Sequence, residues 1–585
     1  MQQQSNNSGE TVSQEETPSA ASRIAGLTSR PNARVLVIGA GINGIATFRD
    51  LALQGVDVAL VERGDYVSGA SSASSHMVHG GIRYLENGEF RLVKESVTER
   101  NGLLRIAPHY VKPLETTIPI YKTFSGILSA PFRLLITHGR GKPNERGAFL
   151  IKIGLMMYDT FSRDGGHVPK HRFLGKKRSL AELPDINPSL KYTATYYDAS
   201  MHDPERLALD VLWDGIETGS HARAANYVSA VGHSANGVRL RDELTGNEFD
   251  FAADLVVNTS GPWTDLTNEA LGQETQFMGG TKGSHVVLDH PELLAATRGR
   301  EIFFEHSDGR IVLIYPLKDR VLVGTTDINA DPREASVCTD DEVDYFFDLV
   351  GHVFPQIEIK REDIVYSFSG IRPLPKHDDT APGFVSRDYR IVEGKMGSTP
   401  TLSLVGGKWT TFRALAEHLS TEVMNRIGGK RTVDTADLAI GGGRDFPASD
   451  DAKRLWITSH GDGRDQALVE TLLERYGTRA ATLLAELPEQ LTELAHAPGY
   501  YAEELAYLAR TEQIVHLDDL LKRRTSIAFR GHLTSELLEE LAAVLATELG
   551  WSDETRADEI ARAIRTLRDA HRIELGATGL TPQLG

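Results

Sequence analysis

One cysteine, Cys338, stands in the 585 residues, so no internal disulfide can form and a reducing compartment suits the chain. It sits in Ser-Val-Cys-Thr-Asp without a paired histidine motif and reads as packing. No run approaches the roughly 18 apolar residues that cross a bilayer, so contact with a membrane has to be at its surface. A basic surplus is also missing. The 63 Lys and Arg face 81 Asp and Glu, and the net charge of −18 argues against a nucleic-acid partner. Residues 1–32 are rich in Gln, Ser, Asn and Thr and have no apolar h-region. They read as a disordered tail and not as a secretory signal. No internal repeat is visible, and no metal site is expected.

What is present begins at Arg34. Val35 to Ile38 suit a strand buried on both faces. The run breaks into Gly39-Ala-Gly41-Ile-Asn-Gly44, a helical pattern follows, and a second apolar strand from Val56 to Val61 ends in Glu62. This is the full dinucleotide fingerprint. Gly39 permits the tight turn, Gly41 lets backbone approach a pyrophosphate, and Gly44 lets the helix pack on the strand. The helix N-terminus offers N–H groups to phosphate, and Glu62 can accept from a ribose hydroxyl. A ligand with an ADP moiety is expected here.

Past Glu62 lies Ser68-Gly-Ala-Ser-Ser-Ala-Ser-Ser75, which reads either as a linker or as a loop crowding a ligand. In the second reading Ser71, Ser72, Ser74 and Ser75 supply hydroxyls to phosphate or ribityl oxygens. It leads into His76-Met-Val-His-Gly-Gly-Ile-Arg-Tyr-Leu85, where His79, Arg83 and Tyr84 surround two glycines. A titratable base, a permanent cation and a phenol suit a small anionic substrate.

The fingerprint, the Ser-rich loop and HGGxRYLE together resemble the FAD-dependent glycerol-3-phosphate dehydrogenase family, related by fold to D-amino-acid oxidase and glycine oxidase. Further matches follow in order: Ile153-Gly-Leu-Met-Met-Tyr-Asp159, Gly261-Pro-Trp263, Lys282-Gly-Ser-His285, Gly324-Thr-Thr-Asp327, Ser369-Gly-Ile-Arg-Pro373, Gly406-Gly-Lys-Trp-Thr-Thr411 and Val515 to Thr525. The resemblance spans about residues 34–570. It departs at His76-Met77, where relatives carry Lys-Leu or similar, and at Trp409, where Leu is usual. These positions are expected to border the substrate pocket or its approach.

The resemblance implies an α/β, Rossmann-like FAD-binding domain, an antiparallel-sheet substrate (cap) domain and a C-terminal all-helical domain. The expected layout places the FAD domain at 33–275 and 366–428, with 111–190 partly a membrane or cap region. The sheet falls at 276–365 and the helices at 443–575, after a linker marked by Gly441-Gly-Gly443. Gly261, Gly406, Gly407 and Thr410 join the fingerprint residues and the four serines as cofactor contacts. His79 is the expected catalytic base, with His285 second. Arg372 is an expected catalytic and phosphate-binding group alongside Arg83, with Tyr84 a hydroxyl donor. The other reading of Arg372 is an ion pair to Asp378 or Asp379. Lys408, where a helix follows two glycines, is placed to add charge at the reduced flavin or to reach substrate.

The implied reaction is FAD-dependent oxidation of sn-glycerol 3-phosphate to dihydroxyacetone phosphate, hydride passing from C2 to flavin N5 and electrons on to a quinone. Alternatives are another polyol phosphate such as an erythritol phosphate, or an amino-acid or amine oxidase of the same fold. The helical domain reads as packing or assembly and leaves a homodimer open. Between Thr116 and Tyr158, Lys122, Arg133, Arg140, Lys142, Arg146 and Lys152 face one acid, Glu145, with apolar side chains interleaved. Such a segment suits an anionic bilayer surface as well as it suits a solvated loop. With bacterial relatives peripheral, the expected place is the cytoplasm, on the inner face of the cell membrane.

Overall fold

The computed structural model describes residues 23–81, 90–122, 151–152, 154–156, 158–159, 169–305, 311–376 and 388–575. Two sheets carry the fold. The first runs in the order Arg390–Met396, Thr399–Val405, Glu248–Asn258, Asn32–Ile38, Val58–Val61, Ala222–Ala225, parallel except at the Arg390–Met396 edge. Its central strand explains the unbroken apolar run. Val35 and Val37 pack with Ile45, Phe48 and Leu51 of the Ile42–Leu53 helix on one face. Leu36 and Ile38 pack with Leu27, Leu240 and Phe251 on the other. With both faces dry, alternation would place polar groups in a core.

The second sheet is built around Met278–Leu288, flanked by Arg320–Gly324 and by Ile364–Pro375. It continues through Ile311–Leu317, Glu301–Glu305, Val111–Ile120 and Tyr192–Met201 to Met77–Val78. It therefore takes strands from well upstream of the expected 276–365, and its last strand, Ile364–Pro375, runs past that boundary. Val111–Ile120 pairs with Tyr192–Met201 along ten positions, despite Pro113 and Pro119. Its other side pairs only at Thr116 and Thr117. The strand ends are thus half-edges, where a proline costs no ladder bond.

The C-terminal helices, among them Gln466–Tyr476, Ala502–Thr511, Ser535–Leu549 and Asp553–His571, bury Leu472, Leu508, Leu537, Leu541, Leu545 and Leu567 together. That core runs on into Tyr315, Leu322, Tyr366 and Phe368 of the second sheet. The junction at Gly441–Gly443 is a buried 3-10 turn, which corrects the linker reading. A Cβ on Gly441 would strike Asp210, on Gly442 the Tyr476 carbonyl, and on Gly443 the Ile106 carbonyl. These glycines serve close approach, not freedom. The helical unit is locked further by Arg523 and Arg524, which both reach buried Asp65, by Arg206 to Glu512 at 2.6 Å, and by the Tyr227 hydroxyl donating to Asp519 at 2.7 Å. Among the described residues, no helix is long and apolar enough to cross a membrane.

Candidate active site

The first strand ends in a turn at Gly39, whose φ of +100° a side chain would resist, and the helix starts at Ile42. A Cβ on Gly44 would collide with the Gly39 carbonyl, so helix and strand pack closely only with glycine there. Glu62 closes back on this turn: its carboxylate accepts from Ala40 N–H at 2.7 Å and Gly64 N–H at 3.0 Å. Burial raises its pKa, partly offset by those two donors. Thr259, which the sequence reading passed over, donates to the carbonyls of Ile38 and Gly39, both at 3.0 Å. Its only signal was its place just before Gly261-Pro-Trp263.

Three further segments converge on the helix start. Ile42 N–H donates to Ser71 Oγ at 3.0 Å. Gly407 packs so tightly on Asn43 that a Cβ would lie 2.5 Å from the side-chain nitrogen. Trp409 Nε1 donates to the Ser71 carbonyl at 2.9 Å, which puts the Trp409 departure beside the nucleotide loop. Gly406 precedes this packing, Thr410 is buried just after it, and Gly261 takes φ +60° at the end of the neighbouring strand. Asn43 Oδ1 is buried with no hydrogen-bond partner among the described residues. A glycine-lined helix N-terminus with an orphaned polar atom fits a dinucleotide cofactor.

The four serines divide. Ser71 faces the helix, Ser72 donates to the Gly69 carbonyl at 3.0 Å, and Ser74 accepts from His76 N–H at 3.3 Å. Ser75 Oγ lies 2.8 Å from His285 Nε2, joining this loop to the second sheet. The His76 ring packs against Phe529 at 4.9 Å between ring centroids, on the side of the C-terminal helices, and against Phe368 at 6.2 Å, the ring on which His285 also stacks.

His79 is half-buried just past Met77–Val78. The next residue is held by a dense buried cluster. Gly80 N–H donates to Asp198 Oδ1 at 2.8 Å, Tyr158 hydroxyl donates to the same oxygen at 2.7 Å, and Arg100 Nη1 reaches it at 3.1 Å. A Cβ on Gly80 would overlap the Tyr158 hydroxyl. The Tyr of IGLxxYD thus supports the HGG turn. Arg83 and Tyr84 lie outside the described residues, as do Asp378 and Asp379.

On the sheet, His285 stacks on Phe368 with ring centroids 4.8 Å apart and planes at 15°. Burial, with the Arg372 and His76 charges, pushes its pKa well below the usual imidazole range, so it is neutral. Arg372 Nη1 lies 3.2 Å from Asp327 Oδ1, while Nη2 donates to Thr325 Oγ1 at 3.0 Å and to the Thr326 carbonyl at 2.9 Å. Gly283, paired across from Gly370, leaves the room this guanidinium occupies. Glu342 steadies the same turn: it accepts from Thr326 Oγ1 at 2.6 Å, Ser284 Oγ at 2.8 Å and Lys282 Nζ at 2.7 Å. The contacts therefore unite Ser75, His285, Arg372 and the Gly324–Asp327 segment. Lys408 precedes Trp409 at the loop, its Nζ buried and its charge felt at Glu95. No cluster of metal-ligating side chains occurs among the described residues.

A nucleotide turn of parallel strands, abutting an antiparallel sheet that presents a neutral imidazole and a half-buried guanidinium, defines a flavin-type oxidoreductase. Residues 34–413 match the family described as FAD dependent oxidoreductase, and the chain belongs to it, with FAD as its cofactor. Residues 398–556 match the C-terminal domain of alpha-glycerophosphate oxidase. A glycerol-3-phosphate dehydrogenase of Synechocystis sp. is 32% identical, with 89% of this chain and 93% of that protein covered. A D-erythritol 1-phosphate dehydrogenase of Brucella abortus is 32% identical, over 84% and 93%. The solved glycerol-3-phosphate dehydrogenase of Bacillus halodurans, complexed with FAD, has the same fold, with TM-score 0.71, 22% identity and 94% and 98% coverage.

Proposed function

We propose that the chain oxidises sn-glycerol 3-phosphate to dihydroxyacetone phosphate. The observation that carries this reading is Arg372, set on the sheet beside neutral His285, which Ser75 joins to the nucleotide loop. Bound FAD supplies the hydride acceptor, its N5, for the hydrogen on C2. The chain's residues do the rest. Gly39, Gly41, Gly44, Ser71, Gly261, Gly406, Gly407 and Thr410 hold the cofactor. His79 takes the C2 hydroxyl proton, so that loss of hydride and proton leaves the ketone. Arg372, with Arg83 and Tyr84, anchors the phosphate, for which a planar fork is well matched. His285, held neutral, hydrogen-bonds the substrate, and Lys408 adds positive charge where electron density accumulates.

The Brucella relative, equally similar, favours a second reading: a longer polyol phosphate with the same anion anchor. Anaerobic flavin reduction separates the two when glycerol 3-phosphate, D-erythritol 1-phosphate and glycerol are compared. In the first reading glycerol 3-phosphate reduces the flavin fastest and glycerol hardly at all. His79→Asn should slow limiting reduction by about 10²- to 10⁴-fold, and Arg372→Lys should raise KM with flavin retained. An unaltered limiting rate in His79→Asn takes the base role from that residue, and efficient oxidation of glycerol removes the phosphate anchor.

For the acceptor, a quinone is proposed, reached by docking of the basic, apolar segment between Thr116 and Tyr158 on an anionic bilayer. Much of that segment, including Arg133, Arg140, Lys142 and Arg146, lies outside the described residues. Liposome flotation that needs anionic lipid and weakens with salt, with quinone reduction faster than oxygen consumption, is the expected result. Protein that stays unbound at low salt defeats the docking.

A further inference from the structure

A cavity of about 630 Å³ lies behind the Ser-rich loop, between Ser68–Ala73, the Ile364–Pro375 strand and the C-terminal helices. It is not the cofactor groove: Gly39, Gly41, Glu62, Ser71 and Gly406 are absent from its wall, whereas Gly69, Ala70, Ser72 and Ala73 form part of it. The loop thus shows Ser71 to the nucleotide helix and its neighbours to this space.

The wall has an uncompensated cation. Lys522 Nζ lies 3.3 Å from His571 Nε2, and among the described residues it makes no ion pair: Asp518, Asp519 and Asp65 act on its charge only at longer range, Asp65 and Asp519 being bound by Arg523 and Asp518 accepting from Thr566. His571 Nδ1 sits 2.9 Å from the Ser367 carbonyl, so that nitrogen carries the proton and Nε2 is the acceptor. The imidazole is therefore neutral and offers Lys522 no charge. Burial pushes Lys522 down to about 8 and His571 to about 3. Neighbouring Arg523 is bound to Asp65 and Asp519. Of the three acids on the wall, Asp203 is paired to Lys318, Glu334 is exposed to solvent, and burial raises Glu205 to about 8, which leaves it a protonated donor at neutral pH. His76, 5% exposed, has Nδ1 without a partner among the described residues. Tyr366, Phe368 and Phe529 supply apolar surface. A desolvated cation without a counter-ion is costly, and the partner that offsets it is an anion.

We propose that this cavity binds a small organic anion, a phosphate or carboxylate head on an apolar body, with Lys522 as charge partner, His76 as second polar contact and the aromatic wall around the body. The C-terminal helices then do more than pack: they complete a ligand site whose opposite wall is the flavin loop. The inference is independent of which substrate the active site oxidises.

Titration calorimetry of the FAD-loaded protein tests it, with phenyl phosphate and benzoate as anions, phenol as the neutral body and inorganic phosphate as the bare head. One anion should bind once per chain, more tightly than phenol or inorganic phosphate, and perturb the flavin absorbance. Lys522→Met should weaken that binding by about tenfold or more, and Arg372→Lys should leave it unchanged. Phe529→Trp, which narrows the aromatic wall beside the proposed site and keeps the charge, should also weaken it, and it stands in if Lys522→Met does not fold. No uptake of either anion overturns the proposal. So does binding lost in Arg372→Lys but kept in Lys522→Met and Phe529→Trp, which assigns the anion to the active site.

Discussion

The turn at Gly39 and the seam at Asp65 are close in sequence and opposite in construction. The turn is assembled from neighbours: a φ of +100°, a helix start at Ile42, a glycine that clears a carbonyl, and an acid that returns to the backbone it follows. The seam is assembled from afar. Arg523, 458 residues from Asp65, reaches it together with Arg524, and the Arg524 and Asp65 side chains are fully buried. Burial alone would raise the Asp65 pKa, but the two guanidiniums outweigh it and hold it low. Local geometry leaves a pattern that can be read in one window of chain, whereas a long-range ion pair leaves two ordinary residues. The difference also separates what each tolerates. A turn fails through sterics, and a buried charge pair fails through an unmatched charge.

The largest effect is expected at the turn. Gly44→Val should abolish FAD binding, because even a Cβ meets the Gly39 carbonyl. Flavin absorbance after gel filtration checks it, and a yellow, stoichiometric variant would mean that the turn has slack the packing denies. At the seam, Arg524→Met leaves Asp65 with one guanidinium fewer. It should lower stability by about 3–5 kcal/mol, read by denaturant unfolding with the flavin signal followed alongside. An unchanged midpoint would show that Arg523 alone suffices and that the seam is redundant.

Between these extremes lies Asp198, which is distant in sequence yet acts on a local turn. Asp198→Ala strands the Gly80 N–H and the Arg100 charge in a buried setting, a loss of about 1–3 kcal/mol. With His79 next in the chain, limiting flavin reduction should fall roughly tenfold with FAD content intact. Asp198→Asn, which keeps an acceptor for Gly80, should recover part of the rate. Equal rates in both variants would confine Asp198 to stability.

The same contrast governs what could be read beforehand. The strand Asn32–Ile38, the helix Ile42–Leu53 and the strand Val58–Val61 of the fingerprint were legible because each carries its own apolar pattern within a few residues of the glycines. Val111–Ile120 was not, since Pro113 and Pro119 mimic a loop and are tolerated only because of which side the strand pairs on. Gly441–Gly443 looked like a hinge, because glycines for closeness and glycines for freedom are identical in a sequence. Among site residues, the serines shared one expected role, yet only Ser71 meets the nucleotide helix and Ser75 meets His285. For Arg372 the acids suggested by the sequence, Asp378 and Asp379, lie outside the described residues, and Asp327, brought close from beyond the Met278–Leu288 strand, is one that no single window of chain reveals. His76 needed the C-terminal helices to be in place before its surroundings existed at all.

His76 gives the smallest and most specific test, since it sits where the two kinds of construction meet. It occupies φ +54° and is 5% exposed. Burial lowers its pKa from 6.5 to about 4, with Asp203 opposing and Lys318 and His202 assisting. A histidine with a depressed folded pKa is neutral in both states above pH 6.5 and contributes nothing there. Below that, the unfolded chain takes a proton that the folded chain refuses, so stability falls as pH falls, until the folded ring titrates near 4. Each such residue costs at most about 1.4 kcal/mol per pH unit in this window, and about half that at pH 6.5 where the unfolded ring is half protonated; His285, depressed in the same direction, adds a parallel term. His76→Asn tolerates the left-handed backbone and removes the titration. Unfolding free energies measured between pH 6.5 and 5.5 should therefore fall less steeply in the variant, by about 1 kcal/mol over that unit. Equal slopes would mean that His76 takes its proton in the folded protein as readily as in the unfolded chain, and that the ring is solvated at the interface.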